Sequence, residues 1–240
     1  MDNEIIVYWA PSAYSHLQGT FALLNLKPKP LINYMVKNKK NDSSAENLYQ
    51  SCTAFREEFS NTFYIEYPVT TKVYFDENGK VIRNDEVSDW YLDRRSSFEN
   101  ANAVDLDVGV IFFCEEPLKM KITPPYFHKT KTSETAFFTA GAYDISSWFR
   151  AIIFTHQTFP NFNYMETVSG EPAMYVSFET DKKIIFKQFV LTDSLFKYGK
   201  NCVDFKKIKP FLSFKEMYER FNSGNLNKII LKEIKENLVE

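Results

Sequence analysis

The sequence predicts a mainly β protein of the α+β class: an antiparallel, jelly-roll-like β-sandwich over residues 1–190, followed by a C-terminal helical segment over 191–240 that packs on it. A helical excursion near residues 45–59 interrupts the first part. Three observations predict this. Aromatic residues make up 17% of the chain, with 23 Phe and 14 Tyr against 7 Gly, and aromatic side chains suit pleated, half-buried surfaces. Phe outnumbers Tyr and has no polar handle, which points to core and sheet ahead of a binding stripe. Apolar residues alternate with period two as far as Val190, and beyond it the period lengthens to about 3.6.

Taken in order, Glu4–Trp9 is a first strand that Ala10-Pro11-Ser12 ends. Phe21–Leu26 is short and apolar, and Lys27-Pro28-Lys29-Pro30 breaks any helix there. Residues 31–40 allow a helical turn or two. Asn41-Asp42-Ser43-Ser44 supplies caps for a helix in which Leu48, Cys52, Phe55 and Phe59 share one face. Asn61–Tyr67 alternates as a strand, and Pro68 punctuates it. Thr70–Phe75 and Lys80–Arg83 flank Asp76-Glu77-Asn78-Gly79, a hairpin turn with glycine where positive φ is needed. Residues 84–103 are polar and acidic, a long excursion around Trp90-Tyr91-Leu92.

Leu106–Phe113 is apolar and β-branched, the pattern of a central strand. Leu118–Thr123 follows and stops at Pro124-Pro125, with a polar turn over Lys129–Glu134. Ala136–Ala140, Ile145–Arg150 and Ile152–Thr158 read as strands. Ala173–Glu179 and Lys183–Val190 read as the clearest hairpin, joined at Thr180-Asp181-Lys182. After Val190, Thr192 caps a short helix that Gly199 ends. Ser213-Phe214-Lys215-Glu216 is a capping box, and Gly224 supplies a left-handed stop. A last helix from about Leu226 sets Ile229, Ile230, Ile234 and Leu238 on one side.

Composition excludes several functions. The formal net charge is −2 and the pI about 6.0, so there is no strong nucleic-acid signal. Residues 41–120 hold sixteen acids and seven bases, which leaves the remainder mildly basic. Cys52, Cys114 and Cys202 are far apart, against both a disulfide framework and a cysteine-held zinc. The chain starts with an acidic Met-Asp-Asn-Glu and has no signal-like or membrane-length apolar run, so a reducing interior is expected. Phosphate-binding GxxxxGK[ST] and GxGxxG loops and the GxSxG elbow are all missing.

Candidate chemistry is sparse. Among His16, His128 and His156, none has an acid two residues on, the spacing common in non-haem iron sites. A metal site, if built, would use His128 and His156 with Asp107. Asp105 and Asp107 share one face of a strand, which suits a cation or an acid/base pair, and equally suits a charged strand edge. Asp144, Trp148, Arg150 and Glu171 are the candidate ligand-binding set. An arginine beside aromatic rings pairs with a carboxylate, so the group reads either as a clamp for a carboxylate or sugar, or as an acid–arginine tie between strands. Catalytic residues are unknown and no cofactor is expected.

The stretches that define the chain also resemble a group of uncharacterised proteins from tailed phages of marine bacteria, the cyanophages among them. The matching residues are Tyr8-Trp9-Ala10-Pro11, Ser51-Cys52-Thr53-Ala54-Phe55, Asn61-Thr62-Phe63 with Pro68, Gly141-Ala142-Tyr143-Asp144-Ile145 with Trp148-Phe149-Arg150, Gly170-Glu171-Pro172 and the Phe178–Phe189 segment. Two positions depart from the group's pattern, Thr53 and Ala151, each where proline is usual. The resemblance implies a viral protein in the host cytoplasm or the virion, and it assigns no activity. The sequence therefore predicts a non-catalytic binding or assembly protein with a protein or small-molecule partner. The alternatives are an oxygenase-like metal enzyme on a double-stranded β-helix, and a carbohydrate- or peptide-binding module.

Overall fold

In a computed structural model, the described residues are 3–12, 26–33, 53–82, 92–95, 102–209 and 211–239. Their strands are β1 (Glu4–Pro11), β2 (Lys29–Pro30), β3 (Thr62–Glu66), β4 (Thr71–Phe75), β5 (Val81–Ile82), β6 (Leu92–Arg95), β7 (Ala103–Cys114), β8 (Lys119–Thr123), β9 (Ala136–Phe138), β10 (Gly141–Asp144), β11 (Ala151–Thr158), β12 (Tyr164–Thr167), β13 (Pro172–Phe178) and β14 (Lys183–Gln188). The helices are α1 (Thr53–Phe59), α2 (Lys131–Thr135), α3 (Asp193–Ile208), α4 (Phe214–Ser223) and α5 (Leu226–Glu236). The chain is thus mainly β with several sheets and a few helices. Among the described residues no helix is long and apolar enough to cross a membrane.

Sheet A has the order β14-β1-β7-β11-β9, with β6 beside β7, and sheet B the order β10-β8-β13-β3-β2. A small sheet C joins β12, β4 and β5. Pairings are antiparallel except that β14 runs parallel to β1, from Glu4 opposite Lys183 to Trp9 opposite Gln188. At the middle of β7, Gly109 takes φ 77°, a conformation that favours glycine. It marks the switch where β7 stops pairing with β1 on one side and starts pairing with β6 there.

Two hydrophobic cores result. One face of sheet A contributes Val7, Leu106 and Phe112 to a core shared with Ile65 and Val176 of sheet B and Val73 of sheet C. The other face contributes Tyr8, Ile111 and Phe113 to a second core with Leu195, Met217, Phe221, Ile230 and Ile234 of the helices. Sheet A is therefore covered on both sides, which is why β7 reads as an unbroken apolar run from Val108 to Cys114.

Several local expectations hold. Asp76 Oδ1 accepts from the Asn78 and Lys80 amides in the β4–β5 turn, where Gly79 has φ 74°. Thr192 caps α3, and Ser213 and Glu216 form the reciprocal capping box of α4. Others are overturned. Residues 173–179 and 183–190 form no hairpin: β13 lies between β8 and β3 in sheet B, whereas β14 is an edge of sheet A. The short link crosses between sheets because β13 is buried on both faces and is already flanked. Ile145–Arg150 is a turn and irregular chain, and Gly141–Asp144 is the strand. Lys131–Thr135 makes a helical turn within the expected polar loop.

Gly199 does not end a helix. It sits inside α3, where a Cβ would lie 3.5 Å from Ile111 Cδ1 and 3.7 Å from Phe149, so it lets the helix lie close on sheet A. Gly224 has φ −78°, and the left-handed residue is Asn225 at φ 52°. Ile229 is 45% exposed, while Ile230 and Ile234 are buried. The short apolar stretch Phe21–Leu26 (apart from Leu26) and the expected helix at residues 45–52 lie outside the described residues, as do Cys52, His16 and Trp90.

Candidate functional site

Sheets A and B part company along one side, and the chain passes from one to the other there. Strand β9 is the last strand of sheet A and pairs with β11 only from His156 to Thr158. The chain then leaves through Thr139-Ala140 to become β10, the last strand of sheet B, which pairs with β8 alone. Between β10 and the first half of β11 lies a cleft of about 460 Å³. Its walls are Ile122, Ile152 and Phe154, all buried, and Trp148 closes one end. Phe137 and Gln157, both exposed, stand at the other.

Trp148 and Arg150 both line this cleft. The irregular segment Ile145–Arg150 places them there, because Trp148 turns into the second core against Phe205, Tyr218 and Phe221. Arg150 donates from Nε to the Ala151 carbonyl at 3.1 Å and from Nη2 to the Ile153 carbonyl at 3.5 Å. No carboxylate pairs with it among the described residues. The acid–arginine tie is therefore replaced by an arginine that satisfies carbonyls of its own strand.

The other two members of the set point elsewhere. Asp144 Oδ1 accepts from the Ser146 amide at 2.8 Å and the Ser146 hydroxyl at 2.7 Å, so it fixes the turn after β10. Glu171 accepts from the Lys131 amide at 2.9 Å, at the start of α2. Tyr143 is the residue that sequence reasoning missed. It lines the cleft beside Arg150, and its hydroxyl is buried without a hydrogen-bond partner among the described residues. Burial pushes its phenol up to about 12, against the opposing pull of the Arg150 charge. A tyrosine in Gly-Ala-Tyr-Asp would have drawn attention had that segment been read as an edge strand.

The histidines do not converge on the cleft. His128 Nδ1 lies 2.5 Å from the Tyr175 hydroxyl, and His156 Nε2 lies 3.1 Å from the Tyr67 hydroxyl. Burial lowers their imidazoles to about 4 and about 3 respectively, so both are neutral at pH 7. Asp107 pairs through its backbone with Ile153, and Asp105 accepts from the Thr155 hydroxyl. Among the described residues no group of three His, Cys, Asp or Glu is placed to hold a metal. Cys114 and Cys202 are buried, which raises their thiols to about 11 and about 12; they are poor nucleophiles.

Two further cavities lie elsewhere in the fold. One of about 490 Å³ lies beside Glu4, Glu115 and Glu116, and each of these acids is paired with a lysine. The other, about 290 Å³, lies among the helices with Cys202, Phe205 and Phe221 and shares Trp148 with the cleft. The second also has apolar walls and an arginine, Arg220, but it lies among the helices and not between strands of two sheets.

The fold and cleft define a mainly β protein with a half-open site between two sheet edges. No protein-family model matches the chain, and neither a curated protein nor a solved structure is significantly similar to it.

Proposed function

We propose that the chain is a non-catalytic binding protein whose site is the cleft between β10 and β11, and that it takes a partner with an anionic group on an apolar body. The observation behind this reading is that Trp148 and Arg150 share one cavity in which Arg150 has no carboxylate partner among the described residues. Apolar walls favour burial at about 25 cal/mol per Å², and a half-buried guanidinium favours an oxyanion over water. Each buried histidine lies within hydrogen-bond reach of a tyrosine hydroxyl, His128 of Tyr175 and His156 of Tyr67, which supports a packing role. On this reading the two sheets around the shared core form a jelly-roll-like sandwich. The resemblance supports a tailed-phage protein that acts in the host cytoplasm or as part of the virion.

Calorimetric titration with sodium octanoate, a minimal apolar anion, tests the reading. One saturable site is expected, with affinity reduced about tenfold in Arg150→Gln, the equivalent of one lost charge-assisted hydrogen bond. Arg150→Lys, which keeps the charge, is expected to fall between the two. Absence of saturable binding, or equal binding by Arg150→Gln, would sink it.

A further inference from the structure

We infer that the apolar anion recognised in the cleft is an extended peptide, whose backbone adds to the free edge of β10. The inference rests on the cleft being the binding site, and it concerns what fills that site. Strand β10 is bonded to β8 on one side only. Along a strand, successive residues direct their amide groups to opposite sides of the ladder. The Asp144 N–H is directed away from β8, because it donates to the Tyr218 hydroxyl at 3.3 Å. Ala142, two residues earlier, faces the same way, so its N–H and C=O are aimed at the gap. Ala142 is exposed, lines the cleft, and has no partner on that side among the described residues.

The cleft shows how each edge is treated. At the Trp148 end both edges are covered by side chains, Arg150 over carbonyls of β11 and Tyr218 over the amide of Asp144. At the Phe137 end Ala142 is uncovered. Sheet edges are normally blunted with lysine, proline or a covering segment. Edge strand β14 has Lys183 and Lys187, and the Val239 amide donates to its Gln188 carbonyl. Strand β10, Gly-Ala-Tyr-Asp, has neither lysine nor proline, and the cover given by Tyr218 reaches only Asp144. A Cβ added at Gly141 would meet nothing within 4 Å, which leaves room for a second backbone.

Strand addition of this kind takes its affinity from main-chain hydrogen bonds and its selectivity from side-chain pockets. The four residues of β10 span about 13 Å at about 3.3 Å per residue, the length of a peptide segment of about four residues. An apolar side chain of that segment fits against Ile122, Trp148 and Phe154, and a carboxylate fits Arg150. A fatty acid would leave the Ala142 amide and carbonyl unpaired.

The test selects a random octapeptide library on the full-length chain and titrates the enriched peptides by calorimetry. Enriched sequences are expected to combine an apolar residue with a carboxylate. Removing that carboxylate, by amidation or by Glu→Gln exchange in the peptide, lowers affinity about tenfold. Ala142→Pro deletes the edge N–H at a position where an edge strand tolerates proline. It is expected to lower peptide affinity about tenfold while thermal unfolding is unchanged. N-methylation of the peptide amides, one position at a time, makes the same test without altering the protein, and at one position at least affinity should fall as far. Failure to enrich any peptide, or peptides indifferent to both Ala142→Pro and N-methylation, overturns the inference. If octanoate still binds in that event, only the peptide assignment is lost; if octanoate fails as well, the cleft is not the site.

Discussion

The Tyr218 hydroxyl of α4 accepts a hydrogen bond from the Asp144 amide at the end of β10, at 3.3 Å. A helix that packs on sheet A thus reaches round to hold the edge of sheet B. The same tyrosine lies against Trp148, with ring centroids 6.3 Å apart, so the helical layer, the cleft and β10 meet at one side chain. Tyr218→Phe keeps the ring and removes the acceptor. It is expected to cost about 1 kcal/mol and to accelerate hydrogen exchange at the Asp144 amide. Unchanged exchange there would show that the helix does not restrain β10.

Tyr143 gives the opposite expectation for a similar change. Its buried hydroxyl lacks a partner among the described residues, and such a group is costly to bury. Tyr143→Phe should leave stability equal or raise it by about 1 kcal/mol, read from the urea midpoint. A loss of that size would mean that the hydroxyl is bonded in the folded protein.

The two buried histidines make stability depend on pH. Their imidazoles are held at about 4 and about 3, below the ordinary value near 6.5. As pH falls, the unfolded chain therefore takes up protons first. The stability associated with their neutrality is fully present above about pH 6.5 and is lost progressively as pH falls toward the folded values. The limiting slope is about 1.4 kcal/mol per pH unit for each histidine. Urea midpoints measured from pH 7 down to about pH 4.5 should fall, and His156→Gln should remove roughly half of that dependence. A flat profile over this range contradicts burial of neutral imidazoles.

Gly199 separates a helix end from a helix interior. Alanine there adds a Cβ in ordinary contact with Ile111 and Phe149 and removes the glycine penalty of roughly 1 kcal/mol. Gly199→Ala should therefore raise the thermal midpoint, and Gly199→Leu should lower it, because the larger side chain meets sheet A. If alanine destabilises, α3 does not run through this position.

These sites show how far the sequence can be read. The run Leu106–Phe113 is legible as a central strand because both faces of sheet A are covered, Phe112 entering one core and Ile111 and Phe113 the other. Capping of α3 and α4 is legible because it depends on residues three apart. The partner of a strand is not local information. Residues 173–190 have the alternation and short polar link of a hairpin, yet β14 is matched to β1, about 180 residues away in sequence, with Glu4 opposite Lys183. Trp148 and Arg150 stand two apart and do reach one cleft. Charge suggests Asp144 and Glu171 as partners of Arg150, but nearer backbone amides and a hydroxyl claim both acids. Tyr143 and Ala142 gain their meaning only from the gap between two sheets.

Amide and side-chain NMR during titration with sodium octanoate tests the central claim most directly. The expected result is a saturable set of shifts at the Trp148 indole, the Arg150 Nε–H and the backbone amides of Ala142 and Thr155, with His128 and His156 unmoved. Shifts that cluster elsewhere on the chain, or none at saturating concentration, would contradict the assignment of the β10–β11 cleft as the binding site.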